Sequence, residues 1–178
     1  MDIVLHLVSL FYRKFRRPLD GRKKLQKLLF LIEHWNPETG EIVPSQKLTG
    51  FQFKIWFYGP FSQELVAHVE KLVKRRKLIE ECHVYDLPLS IQGLSLNAYS
   101  DDGTPRRIYL YSPGFTTAKE QLAQPLKERL HIVLDRFGER NPIELEAQVN
   151  KMLKLTPMKK LEYWGLPVDE YIKRALHS

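Results

Sequence analysis

Cysteine is nearly missing from this chain of 178 residues, which has Cys82 and no other. A single thiol closes no internal disulfide and builds no zinc framework, so disulfide scaffolds and zinc fingers are excluded and a reducing, cytosolic setting is expected. Long apolar runs are missing too. The opening stretch MDIVLHLVSLF is about half the length of a membrane span and is interrupted by His6 and Ser9. It carries an acid where a signal peptide needs a base, so the mature protein is expected to begin at Met1, with no membrane partner. Also lacking are a glycine-rich phosphate loop, a paired-histidine zinc motif and a nucleophile elbow. Ser62 and His68 stand six apart on one helix, too far for a nucleophile and its base. Glu80, Glu81, His83 and Asp86 surround Cys82, but alternate residues of a strand point to opposite faces and cannot all meet one ion. A non-enzymatic protein with no metal and no cofactor is expected.

What is present is an ordinary soluble composition, 43% hydrophobic and 28% charged, which argues against disorder. The length suits one well-buried core. The net charge of +7 is unevenly placed: residues 1–77 carry 15 Lys and Arg against 7 Asp and Glu, and residues 78–178 carry 13 against 14. All the excess lies in the first half, as expected of a footprint for a polyanion or an acidic partner. The plainer reading is that these cations solubilise helix faces.

Ile3, Val4, Leu7, Val8 and Phe11 recur at helical spacing and predict a helix over 2–15, broken at Arg17-Pro18. Asp20 is the expected N-cap of a second, deeply buried helix over 21–35, with Leu25, Leu28, Leu29 and Ile32 on one stripe and Lys23 and Lys27 on the side facing solvent or phosphate. A turn-rich surface connection follows. Phe51, Phe53, Ile55 and Phe57 alternate with polar and aromatic neighbours and predict a short strand that Gly59-Pro60 ends. Ser62 caps a third helix, 63–77, with Leu65, Val66, Val69, Leu72 and Val73 facing inward and Gln63, Ala67, Lys71 and Lys74 outward. That outward set suits a recognition helix: an amide for an adenine edge, a small residue for close approach, lysines for phosphate or guanine. Glu64 at the same end opposes phosphate.

Leu78–Val84 and Arg107–Tyr111 read as antiparallel strands flanking a long polar wing, with Arg106 and Arg107 at its base, where such a pair can enter a narrow minor groove. Asp101 and Asp102 work against that. Thr117-x-x-Glu120 offers a capping box, and Pro125 either begins a fresh helix or kinks one, with Leu126, Leu130, Val133, Leu134 and Phe137 on its apolar face and Gly138 as its stop. Asn141-Pro142-Ile143-Glu144, Thr156-Pro157 and the segment after Pro167 start three further helices, which could pack on the core or form a homodimer interface.

KLQKLLFLIEHW at 24–35, followed by FKIWFYGPFSQELVAHVEKLVKRRKLIEE at 53–81, resembles the YwgA-like proteins and, more distantly, the Panacea or SocA-like antitoxin domain. The resemblance covers about residues 20–112 and is sharpest at Tyr58, Gly59, Pro60, Ser62 and Leu65. It implies a winged-helix-like module and, in the Panacea group, neutralisation of toxins by direct contact. The expected fold is mainly α with a small antiparallel β element: a winged helix-turn-helix-like core over 1–112 and a helical extension over 113–178 packed on it. The expected function is regulatory binding of nucleic acid, duplex DNA above all, through Lys23, Lys27, Gln63, Lys71, Lys74, Arg75, Arg106 and Arg107. The alternative is an antitoxin or adaptor that binds a protein partner such as a toxin through the wing and tail.

Overall fold

Asp2 starts the first helix, α1 (Ile3–Phe15), by accepting hydrogen bonds from the amides of Val4 and Leu5. The computed structural model describes residues 2–85, 106–114 and 122–175. Helix α1 buries Ile3, Val4, Leu7, Val8 and Phe11 and ends where Arg16 turns left-handed, at φ 54°. Strand β1 (Leu19–Asp20) leads to α2 (Arg22–His34), whose N-cap is Gly21 at φ +94°. Asp20 is therefore not the cap that the sequence suggests. It lies in β1, and its carboxylate takes the buried Lys24 ammonium at 2.8 Å.

Helix α2 is the axis of the molecule. Every residue from Lys24 to His34 is buried, because residues 59–61 and the helices over 124–137 and 142–152 close around it. The following connection folds down onto its end. The Glu33 carboxylate accepts from Ser45 Oγ, the Leu48 amide, and both the amide and hydroxyl of Thr49. Burial works against that charge, but the hydrogen bonds outweigh it and hold the carboxyl below its usual range.

Residues 54–61 form a hairpin, β2 (Lys54–Trp56) and β3 (Gly59–Phe61), turning at Phe57-Tyr58. Gly59-Pro60 does not end a strand, as its turn chemistry suggests, but makes the return strand. Gly59 sits at φ +80°, and a Cβ there would collide with Asn150 Oδ1. Ser62 caps α3 (Gln63–Lys74) through the Leu65 amide, and the Gln26 side chain pins both the amide and carbonyl of Ser62 at 2.9 Å. Strands β4 (Leu78–Tyr85) and β5 (Arg106–Pro113) pair in antiparallel register from Leu78–Pro113 to Tyr85–Arg106. Leu19 and Asp20 pair with Tyr111 and Leu110, giving a three-stranded sheet in the order β1-β5-β4. The sequence reading lacks β1, since two residues show no alternation. The expected wing and the Thr117–Glu120 capping box lie outside the described residues.

The second half adds α4 (Gln124–Phe137), α5 (Pro142–Met152), α6 (Pro157–Glu162) and α7 (Val168–Ala175). Pro125 sits in the first turn of α4, and Asn141 and Glu144 form the expected capping box of α5. Thr156 caps α6. Leu130, Val133, Leu134, Phe137, Leu145 and Val149 enter one core with α1 and α2. Residues 165–168 return to the hairpin: Gly165 N–H donates to Ile55 O, Ile55 N–H to Leu166 O, and Val168 N–H to Phe53 O. The described residues thus hold seven helices with two small antiparallel sheets.

Candidate nucleic-acid interface

Most cations of the first half fall into two groups. Those of α1 and α2, Arg13 apart, have partners inside the molecule. Lys14 pairs with Asp135, Arg17 with Asp20, Arg22 with Glu80, and Lys23 with Glu146 at 2.5 Å. Arg22 also lies over the Tyr109 ring, and Tyr111 Oη donates to Glu80 at 2.6 Å, so this network locks α2 to the sheet.

Lys27 departs furthest from expectation. It is 2% exposed, and its ammonium donates to the carbonyl oxygens of Tyr58 at 2.5 Å and Pro60 at 2.7 Å. Burial pushes its pKa down to about 7. A phosphate cannot reach it, which corrects its placement on an outer face. Lys23 is half-buried between Glu146 and the Tyr58 ring, with its charge already neutralised.

The second group is at the end of α3. Lys71 and Lys74 are exposed on the helix and Arg75, Arg76 and Lys77 in the turn that follows. Among the described residues none of these five has an ion-pair partner. The turn is a Schellman motif: Lys77 N–H donates to Leu72 O and Arg76 N–H to Val73 O, with Arg76 left-handed at φ 56°. Gly114 packs against this turn and donates to Lys77 O. Gln63 is exposed at the other end of α3, about 18 Å away at 1.5 Å per residue. Glu64, beside it, accepts from the Gln52 amide at 3.2 Å.

Arg107 is exposed on β5 opposite Val84. That is six residues up the ladder from Leu78, or about 20 Å from the end of α3. Arg106 pairs with Tyr85 at the last rung, and its side chain lies outside the described residues. The structure thus brings Lys71, Lys74 and Arg75 together, adds Arg76 and Lys77 beside them, and leaves Arg107 apart.

A cavity of about 470 Å³ lies between α2, the 45–53 segment and α7, and Glu33, His34, Asp169 and Glu170 are among the residues that line it. Its groups already serve the fold. Glu33 holds the loop, Asp169 accepts from the Ser45 amide at 2.7 Å, and His34 Nδ1 meets Val43 O at 3.0 Å. Burial lowers the His34 pKa, which keeps the ring neutral at pH 7. Among the described residues no three or more His, Cys, Asp or Glu side chains are placed to hold a metal ion, and no helix is long and apolar enough to cross a membrane. Compared with family models, curated proteins and solved structures, the chain gives no match.

Proposed function

We propose that this protein binds duplex DNA as a winged-helix regulator, with α3 as its recognition helix. The observation that carries the reading is the contrast in charge use: the cations of α1 and α2, all but Arg13, are spent inside the molecule, and those at the end of α3 are not. The order α1-β1-α2-β2-β3-α3-β4-β5, in which a hairpin stands between α2 and α3, with sheet order β1-β5-β4 supports it, as does the resemblance of the 24–35 and 53–81 motifs to YwgA-like proteins. In this reading Lys71, Lys74, Arg75, Arg76 and Lys77 neutralise phosphates, Gln63 reads a base edge, and Arg106 and Arg107 serve the neighbouring groove. Lys27 takes no part, and Lys23 contributes little.

Five phosphate contacts imply a salt slope of about −4 to −5 in log K against log salt. Titration of a mixed-sequence duplex between about 50 and 200 mM salt checks this. A slope near zero, or no binding at low salt, rejects the proposal.

A further inference from the structure

The hairpin that leads into α3 carries an exposed aromatic wall with no role in the fold's core. Phe57 is 58% exposed, Tyr58 62% and Trp164 40%, and on α6 Leu161 is 59% and Met158 74% exposed. At roughly 200 Å² for a large side chain, these fractions amount to about 600 Å². That reaches the upper end of what a monomer ordinarily shows in one patch and approaches one partner's share of a standard interface.

The wall is fixed in place. Phe57 packs on Trp164 with ring centroids 3.9 Å apart, Trp56 lies between Trp164 at 4.9 Å and Phe61 at 5.2 Å, and Lys23 Nζ sits 4.4 Å over the Tyr58 ring. The backbone bonds between residues 165–168 and the hairpin hold Trp164 against it. Core burial explains Ile55, Pro60 and Phe53, but it does not explain large rings left half in water at a hairpin tip.

The charge beside the wall is mainly positive. Lys54 stands across from Phe61 in the hairpin, and Lys159 and Lys160 share α6 with Met158 and Leu161. Among the described residues none of the three has an ion-pair partner. Glu146 is taken up by Lys23, which leaves Glu162 as the acid of α6.

We infer that this wall docks an acidic segment of a protein partner, with apolar side chains of that segment seated on Trp56, Phe57, Tyr58 and Trp164. Aromatics and methionine at the centre with lysines outside are the composition of an interface core and its rim. A second copy of this chain is disfavoured, because it would set the same lysines against each other on a molecule of net charge +7. A bilayer or a single strand calls for rings free to insert or to stack in parallel, and these are packed on one another at tilts of 44° to 55°. The patch adjoins the Gln63 end of α3 and lies away from its basic turn, so it leaves the phosphate contacts of the DNA reading untouched.

The test places the photo-crosslinker p-benzoylphenylalanine at position 57 of the full chain in its own cell, and mass spectrometry identifies the crosslinked peptide. The expected adduct is another protein, at a segment with more Asp and Glu than Lys and Arg. That segment, synthesised as a peptide, should bind the purified protein and lose at least about tenfold in affinity to the double variant Phe57→Ser, Tyr58→Ser. It should also weaken several-fold with Lys54→Glu and Lys160→Glu, which leave the aromatic wall intact. Both substituted aromatics are more than half exposed, and an unchanged melting curve and duplex affinity verify the fold. An adduct with a second copy, nucleic acid or lipid, or no adduct, overturns the inference. So does equal binding by the double variant, or its loss of binding to a dT20 oligonucleotide or phosphatidylglycerol vesicles that the parent retains.

Discussion

At the scale of single residues, Lys27 makes the sharpest prediction. A neutral amine has two N–H groups, and the site offers two carbonyls, those of Tyr58 and Pro60. A third proton adds a buried charge whose neighbours are Glu146, Lys23 and Lys160. The unfolded chain holds this proton up to pH 10.5 and the folded chain only up to about 7. Between those values the unfolded state binds more protons, so stability rises with pH. Urea melts should show wild type gaining on Lys27→Met by up to about 1.4 kcal/mol per pH unit above pH 7, with the difference flat below it. Gly59→Ala should cost about 2–4 kcal/mol, because it combines a positive φ with a collision against the buried Asn150 side chain. Of these two residues the sequence discloses Gly59 as turn chemistry, but not Lys27. Its placement outside follows from reading α2 as a helix with one wet face, and burial of α2 on all sides depends on helices from the far half of the chain.

At the scale of elements, three helices end on a left-handed cation: α1 at Arg16, α3 at Arg76 and α5 at Lys154, with φ of 54°, 56° and 52°. Glycine is the usual occupant of that position, and a side chain there costs about 1 kcal/mol. Lys154→Gly should therefore raise stability by about 0.5–1 kcal/mol with no effect on DNA binding. Arg76→Gly should stabilise to a similar degree and yet lower the magnitude of the salt slope by about 1, since it also removes a phosphate contact. Thermal melts paired with salt titrations separate the two effects. Caps and helices were legible because their signals are local: Asn141 with Glu144, Thr156, and Ser62 ahead of the Leu65 stripe. The hairpin was misread because Phe57 continues an alternation that the chain breaks at that residue to turn.

At the scale of the whole molecule, the charge asymmetry read from the sequence is real but overstates the surface. Lys14, Arg17, Arg22 and Lys23 are absorbed by Asp20, Glu80, Asp135 and Glu146, three of which belong to the second half. Net charge is a sum along the chain, while a footprint is a property of the folded surface, and only pairing in space converts one to the other. Replacing Lys71, Lys74, Arg75 and Lys77 together by Ala should weaken duplex binding by two orders of magnitude or more at about 100 mM salt and leave the melting temperature within a few degrees. The same number of substitutions at Lys14, Arg17, Arg22 and Lys23 should do the reverse.

The return of residues 165–168 to the hairpin also governs how this protein can be made. Phe53 and Ile55 obtain their outer backbone partners from Gly165, Leu166 and Val168. During synthesis these positions must wait, with β2 still an open edge, until more than a hundred further residues have been added. The aromatic tip therefore cannot gain its full set of partners until Trp164 and residues 165–168 have been made. A nascent chain stalled before Trp164 would present the hairpin without its wall, and quality control in the cell would meet it in that form.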